Sequence, residues 1–251
     1  HPTPTTESYT EQLSSAASDF YKRQRYLLYA IVEIVLGVIG ILIALSIYNL
    51  NHKRNEKARL DSVLNIVKAD LIKDTLNILR PIKDYENKKV ILLKIIEREK
   101  SKSSLDSITE LSFKKYEIFT KAISNYFLFN MSNRGIELLK NMSNNLDFEK
   151  DTLIASLIER HSVISLFIEE DNELMRKLQF QNEEEFEKHT WYNDWRLNKY
   201  NKVMFQYFYD DEFRRKAARY NVYSNQYLRD LKRYRSVAKT DIKLIEERLK
   251  K

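Results

Sequence analysis

The chain has 251 residues, of which only 3 are Gly and 3 are Pro, and it has no Cys. Average usage would give roughly 18 Gly and 12 Pro. These residues supply the backbone angles of tight turns, so their scarcity argues against β-sandwiches, barrels and Gly-rich phosphate loops. The lack of Cys excludes disulfides, zinc–thiolate sites and thiol catalysis. The composition predicts an all-α protein with long helices.

Charge is distributed unevenly along the chain. The net charge is +7, and residues 195–251 alone carry 16 basic and 7 acidic side chains. The remainder is slightly acidic, so any surface that attracts anions is expected in the C-terminal region.

The segment from Tyr26 to Leu50 is apolar except for one charged residue, Glu33. As a helix, 25 residues span about 37 Å, which exceeds the ~30 Å hydrocarbon core of a bilayer. A buried core helix would be shorter and less uniformly apolar, and a cleavable signal peptide has a shorter apolar stretch. The sequence predicts a short N-terminal segment (1–25), a transmembrane helix (26–50) and a helical soluble domain (51–251).

One face of this predicted span carries small residues. Ala30, Glu33, Gly37, Gly40 and Ala44 follow one another at spacings of 3, 4, 3 and 4, which places them within roughly 80° of arc. Small residues let another helix approach closely in lipid. We therefore expect this face to pack against a span of another transmembrane protein or of a second copy of this chain, with membrane lipid around the other faces.

Glu33 lies on the same face, and three roles are open for it. It could line an ion or proton path, pair with a Lys or Arg of a partner span, or be protonated or reach the interface as a structural residue.

The segment YLLYAIVEIVLGVIGILIALSIYNLNHKR resembles the N-terminal signature of an uncharacterised family of bacterial single-span envelope proteins, approximately Y-L-x-Y-A-x-x-E-I-x-L-x-x-I-G-I-L-I-A-L-x-I-x-N-x-N. The matching positions are Tyr29, Ala30, Glu33, Ile34, Gly40, Ile41, Leu42, Ala44 and Asn49. A weaker match is the segment Asn133–Asn141, similar to the family's S-G-x-L-x-L-I-x-N. At Leu50 the family tends to carry Trp.

This resemblance implies a membrane anchor followed by a helical extracytoplasmic domain, and it supplies no catalytic residues. The basic residues on the two flanks of the span nearly balance, so they do not set its orientation. A short N-terminal segment before a long C-terminal domain is typical of a signal anchor. We expect the bacterial cytoplasmic membrane as the location, with the C-terminal domain in the periplasm.

The soluble part shows helical periodicity. Leu60, Leu64, Val67, Leu71 and Leu79 predict that the first helix continues to about Arg80, where Pro81 ends or kinks it. Further helices are predicted over residues 148–180 and 213–249, with a charged, aromatic connection over residues 181–195. The bundle core is expected to include Ile154, Leu157, His161, Tyr220, Tyr227 and Tyr234, with His161 in a structural role.

No pattern in the sequence indicates catalysis. The four histidines are too far apart for a helix-borne metal pair, and neither HExxH nor a nucleophile elbow occurs. We expect a protein that is not an enzyme and has no catalytic residues, no metal and no cofactor.

The C-terminal helix alternates basic residues with tyrosines. Its candidate surface for an anionic partner is Arg214, Arg215, Lys216, Arg219, Arg229, Lys232, Arg233 and Arg235. The pattern fits anionic lipid, envelope glycan or an acidic protein better than nucleic acid, given the expected location. The alternative is that these are solvated helix faces around a tyrosine core.

Together these patterns predict a non-enzymatic, single-span helical protein that serves as an accessory or scaffold subunit of a larger envelope complex. Two alternatives are a subunit that uses Glu33 in ion-driven work and a sensor domain that signals through a partner.

Overall fold

A computed structural model describes residues 6–97, 109–143 and 151–250 of the chain. These ranges are all-α and contain no strand, which confirms the predicted fold class. The helices are α1 (Thr6–Asn77), α2 (Leu79–Ile96), α3 (Phe113–Thr120), α4 (Arg134–Ser143), α5 (Thr152–Glu187), α6 (Tyr192–Arg196), α7 (Lys202–Tyr209) and α8 (Asp211–Leu249).

The chain divides into two units between Arg59 and Leu60. In the first unit every side chain from Ile31 to Asn55 is exposed. Among the described residues, one helical stretch near the N-terminus is long and apolar enough to cross a membrane, and its apolar window is not buried at all. The long apolar N-terminal helix is thus confirmed, whereas the membrane boundaries at residues 25 and 50 stay predictions.

In the second unit the break between α1 and α2 comes earlier than predicted. Proline has no backbone N–H, so Pro81 cannot donate the i→i−4 hydrogen bond that the carbonyl of Asn77 would accept in a regular helix. The helix is interrupted at Ile78 rather than at the proline. Leu60, Leu64, Val67 and Leu71 are buried as predicted. Leu79 is 41% exposed instead, so the apolar stripe does not continue across the break.

The long helices α2 and α5 both pack against α8, while α4 packs on α5, α7 on α8 and α3 on α2. The predicted stripes of α5 and α8 line this core, where Leu157, His161, Tyr220, Tyr227 and Tyr234 are all buried. The side chain of Asp151 caps α5 by accepting hydrogen bonds from the N–H groups of Leu153 and Ile154.

The predicted connection over residues 181–195 is only partly correct. α5 continues to Glu187, and the short helix α6 follows. The aromatic residues of this region are not a surface feature, because Phe186, Trp191 and Trp195 are buried. The ring of Phe186 contacts those of Trp191, Trp195, Tyr207, Phe208 and Phe213.

The segment 121–133 contains no helix, yet it runs through the core, with Ile123 and Phe129 buried. A buried connection must find partners for its backbone polar groups. Helical side chains supply them. The backbone N–H groups of Phe127, Phe129 and Ser132 donate to Tyr85 (3.2 Å), Tyr227 (2.9 Å) and Asp74 (2.9 Å). Tyrosines of α2 and α8 therefore hold this connection in place.

Carbonyl groups of the same connection are satisfied in the same way. The Asn182 amide donates to Ile123 O (2.8 Å), Asn172 donates to Phe129 O (2.9 Å), and the Tyr220 hydroxyl donates to Asn125 O (2.6 Å). The tyrosine-rich face of α8 thus has a structural explanation, since these hydroxyls replace the hydrogen bonds that a helix or sheet would supply.

Candidate functional site

The predicted small-residue face lies entirely within α1, so helical geometry places its members on one side. Glu33, Gly37, Gly40 and Ala44 are exposed, and the side chain of Ala30 lies outside the described residues. A methyl group added at Gly37 or Gly40 would meet no atom within 4 Å. The described part of the chain therefore leaves space for another helix here, and the packing itself stays a prediction.

The eight basic residues predicted as an anion-attracting surface are not one patch. Arg215, Arg219, Arg229 and Arg233 are exposed on the outward side of α8, opposite its buried stripe. Arg214 lies 3.7 Å from Asp211. Lys216 is half-buried and pairs with Glu212 at 2.9 Å and more loosely with Glu185 at 3.9 Å.

Lys216 is held in place by its neighbours. Its ammonium group donates to the Tyr207 hydroxyl at 3.3 Å. Burial lowers the pKa of Lys216, but the bonds to Glu212 and Tyr207 more than offset this, so the pKa is raised overall. Lys216 is therefore a structural cation beside the aromatic rings packed around Phe186, to which Tyr207 belongs, rather than part of an open surface.

The remaining two residues of the predicted set, Lys232 and Arg235, line a groove between α2 and α8 of about 610 Å³. We call this feature the cationic groove. Its lining residues are Leu79, Ile82, Lys83, Glu86, Lys232, Arg235, Ser236 and Lys239. Four cations thus face one carboxylate, and Leu79 and Ile82 supply an apolar floor.

Among the residues that the structure describes, one ion pair neutralises part of the charge in the cationic groove. Lys232 pairs with Glu86 at 2.5 Å, across the two helices. The Nε atom of Arg235 is buried and has no hydrogen-bond partner among the described residues. Arg235 is partly buried, whereas Lys83, Lys232 and Lys239 are exposed. The excess of positive charge in the groove favours an anionic group.

Lys83, Glu86 and Lys239 belong to this groove, but the sequence pattern of α8 did not select them. Lys83 and Glu86 lie on α2, about 150 residues away in the chain. Lys239 follows the predicted run by only one helical turn, and the shared face of Lys232, Arg235 and Lys239 is the signal that could have selected it.

His161, which was predicted as a core residue, is buried close to Ser132 and Asp74. Burial lowers the pKa of His161, and its Nε2 atom has no hydrogen-bond partner among the described residues. The Ser132 hydroxyl donates to Asp74 at 2.7 Å instead of to a histidine. Within the ranges that the structure covers, no cluster of His, Cys, Asp or Glu could hold a metal ion.

No protein-family model, no curated protein and no solved structure matches the chain. The resemblance to bacterial single-span envelope proteins therefore stays a prediction.

Proposed function

We propose that this protein is a non-enzymatic, single-pass membrane protein of the bacterial envelope, anchored by residues 26–50. Its second unit (Leu60–Lys251), which we call the soluble unit, binds an acidic protein partner as an accessory subunit of a larger complex. The observation that carries this proposal is the exposed apolar face of α1. Leu36 and Ile41 are each 63% exposed, and Ile34 is 67% exposed.

Water is a poor environment for this helix. Burying one Leu, Ile or Val side chain is worth about 1.5–3 kcal/mol, and the apolar side chains here occupy every face of the helix. A soluble core helix would bury these side chains in its own chain, whereas this one buries none of its apolar window. A bilayer accounts for such a surface, since lipid tails cover all faces at once.

Membrane integration can be tested by alkaline extraction of membranes that contain the full chain. We expect the wild type to stay in the pellet. The double variant Ile39→Arg, Ile43→Arg should be released, because each Arg near a helix centre costs about 2.5–3.5 kcal/mol on insertion scales. The control is Leu111→Arg with Val222→Arg, at positions that are 98% and 62% exposed in the soluble unit. Release of the wild type by alkali would overturn the anchor.

The absence of native Cys makes orientation easy to measure. A single Thr240→Cys variant places a thiol at an exposed position of α8. In cells with a permeabilised outer membrane, we expect a membrane-impermeant maleimide to label it without inner-membrane lysis. Labelling that requires lysis would place the soluble unit on the cytoplasmic side.

The cationic groove supports the choice of an acidic protein segment as partner. A membrane surface is flat, so its headgroups contact planar or convex patches, whereas the groove is a cleft between two helices. Leu79 and Ile82 can receive an apolar side chain, and Lys83, Arg235 and Lys239 can pair with flanking carboxylates. A partner segment that combines both chemistries fits this lining.

A fluorescent peptide that alternates Glu and Leu is a direct probe of the groove. We expect the double reversal Lys83→Glu, Lys239→Glu to weaken binding at least tenfold, and binding by the wild type to weaken as salt rises. The matched control is Arg215→Glu with Arg219→Glu, the same charge change on the outward side of α8. Equal losses of affinity in both variants would contradict binding at a specific groove. If the wild type bound anionic vesicles and the Lys83→Glu, Lys239→Glu variant did not, the ligand would be a lipid.

The accessory role is tested by purification from native membranes in mild detergent. We expect a partner to co-purify with the wild type, to cross-link through the groove and to be lost in the Lys83→Glu, Lys239→Glu variant. A homogeneous monomer that binds no other protein would overturn this role and leave the membrane anchor unaffected.

A further inference from the structure

A second cavity of about 400 Å³ opens beside α2, on lining residues that the cationic groove does not share. Its volume falls in the range of small-molecule sites, about 300–1,000 Å³. Its wall is apolar where Ile91, Ile118 and Phe127 lie, and it is basic where Lys88, Lys114 and Lys121 lie. One lining carboxylate, that of Asp84, belongs to α2.

Lys88 sets this cavity apart from an ordinary surface depression. The residue is only 7% exposed. Its ammonium group donates to the carbonyl of Asn125 and to the Tyr220 hydroxyl, the latter at 3.2 Å. The rings of Phe127 and Tyr220 lie 5.4 Å and 5.1 Å from the same nitrogen atom. Backbone and rings therefore fix the nitrogen at one place in the cavity wall.

These contacts use two of the three N–H donors of the Lys88 ammonium group and do not compensate its charge. Asn125 and Tyr220 are neutral, and the faces of the rings attract a cation only weakly. No carboxylate forms an ion pair with Lys88 in the part of the chain that the structure describes. A buried ammonium group without a counterion is costly, and an anion placed in the cavity would remove this cost.

We propose that this cavity binds a small organic anion that has an apolar body and a single carboxylate or phosphate head, with Lys88 as the cation that receives the head. Ile91, Ile118 and Phe127 contact the apolar body. Lys114 and Lys121 add positive potential around the cavity. The site does not depend on the membrane anchor or on the partner of the cationic groove.

Binding of an anion in this cavity should change the protonation state of Lys88. Burial lowers the pKa of Lys88 to about 7, and the charge of Asp84 acts in the opposite direction. Near pH 7.5 a large part of Lys88 is therefore neutral, and an anion that favours the charged form will cause proton uptake. Among the described side chains, the other titratable groups around the cavity are Asp84 and Tyr85 on α2, Lys114 on α3, Lys121, and Tyr220 on α8.

The test is calorimetric titration of the full chain in nanodiscs with naphthalene-2-carboxylate, using naphthalene-2-methanol as the neutral analogue. We expect saturable binding of the carboxylate, at least tenfold tighter than binding of the alcohol. Titration at pH 7.5 in two buffers of different ionisation enthalpy should show proton uptake on binding. A phenyl phosphate titration then distinguishes a phosphate head from a carboxylate head.

Two variants test the cation and the apolar wall of the cavity separately. Lys88→Met removes the cation and should weaken binding at least tenfold and abolish proton uptake. Ile118→Glu adds a negative charge at a position that is 52% exposed, so it should reduce binding without disturbing the core. The control Lys89→Met makes the same chemical change as Lys88→Met at an exposed position of the same helix, outside both the cavity and the cationic groove.

Three results would each overturn the proposal. One is a wild type that shows no saturable binding, the second is equal affinity for the neutral analogue, and the third is unchanged affinity in Ile118→Glu. Because Ile118 is exposed, the last outcome does not depend on whether Lys88→Met folds.

Discussion

The hydroxyl of Tyr234 in α8 donates a 2.6 Å hydrogen bond to the carboxylate of Asp74 in α1. Asp74 is 1% exposed and also accepts hydrogen bonds from the backbone N–H and the hydroxyl of Ser132. Burial, followed by the charge of Asp74, raises the pKa of Tyr234. Within the described ranges, the hydrogen-bond donors to this carboxylate are therefore neutral, and the carboxylate joins two helices to the connection between them.

Replacement of Tyr234 by Phe should destabilise the soluble unit by about 1–3 kcal/mol, because it leaves a buried carboxylate short of one donor. Thermal unfolding followed by circular dichroism measures this loss. Tyr223→Phe is the control, since the hydroxyl of Tyr223, which is half-buried on the same helix, forms no hydrogen bond within the described ranges. Equal stability of the two variants would show that the Tyr234–Asp74 bond makes no net contribution.

Gly135 is expected to tolerate no side chain. A Cβ atom there would lie 2.7 Å from the Cα atom of Val67 and 2.8 Å from its nitrogen atom, and both are backbone atoms. Gly135→Ala should therefore cost about 1–3 kcal/mol, as overpacking does in cores. Gly37→Ala, where the added methyl group meets nothing within 4 Å, should leave unfolding of the soluble unit unchanged. A wild-type unfolding temperature for Gly135→Ala would show that the two backbones separate easily.

The small-residue face of α1 should control association within the membrane. Gly40→Leu fills the space that a neighbouring helix would use, so we expect weaker cross-linking between spans and no change in the stability of the soluble unit. The control is Ile41→Leu, which changes an exposed apolar residue on another face. Unchanged cross-linking in Gly40→Leu would remove this face as a helix contact.

Asp171 should make the fold sensitive to pH. Burial, together with the neighbouring charge of Asp230, raises the pKa of this carboxyl to about 7, against about 3.9 in the unfolded chain. Between these values the folded state binds more protons than the unfolded state, so the free energy of unfolding falls as pH rises from about 4 to 7.

The variant Asp171→Asn should remove this contribution to the pH dependence of the free energy of unfolding. We expect its stability relative to the wild type to increase with pH across that interval and to level off above it. Chemical unfolding at half-unit steps from pH 4.5 to 8 measures the difference. A constant difference would mean that Asp171 titrates in the folded protein as it does in the unfolded chain. The control Glu169→Gln changes an exposed carboxyl on the same helix.

The sequence predicted most of the helices because their apolar residues recur with the helical period over long stretches. The stripe of α8 is an example, with Tyr220, Tyr227, Leu231 and Tyr234 all buried. The break at Ile78 was placed too late because the effect of a proline lies at the carbonyl four residues before it. The core connection 121–133 was not predicted, because its hydrogen bonds come from side chains distant in sequence.

The candidate site was predicted only in part for the same reason. Lys232 and Arg235 belong to a basic run that composition alone reveals. Their neighbours Lys83 and Glu86 reach the groove through the packing of α2 on α8, which no local pattern encodes. Lys88 gave no signal at all, since a single lysine in a helix is common and only its burial makes it unusual.

The connection 121–133 also sets the order in which the soluble unit can be completed. Two of its backbone partners, Tyr220 and Tyr227, lie on α8, about 90 or more residues further along the chain. During synthesis this segment therefore follows its partners Asp74 and Tyr85 but precedes those on α8. The full set of its hydrogen bonds can form only once the final helix has been made.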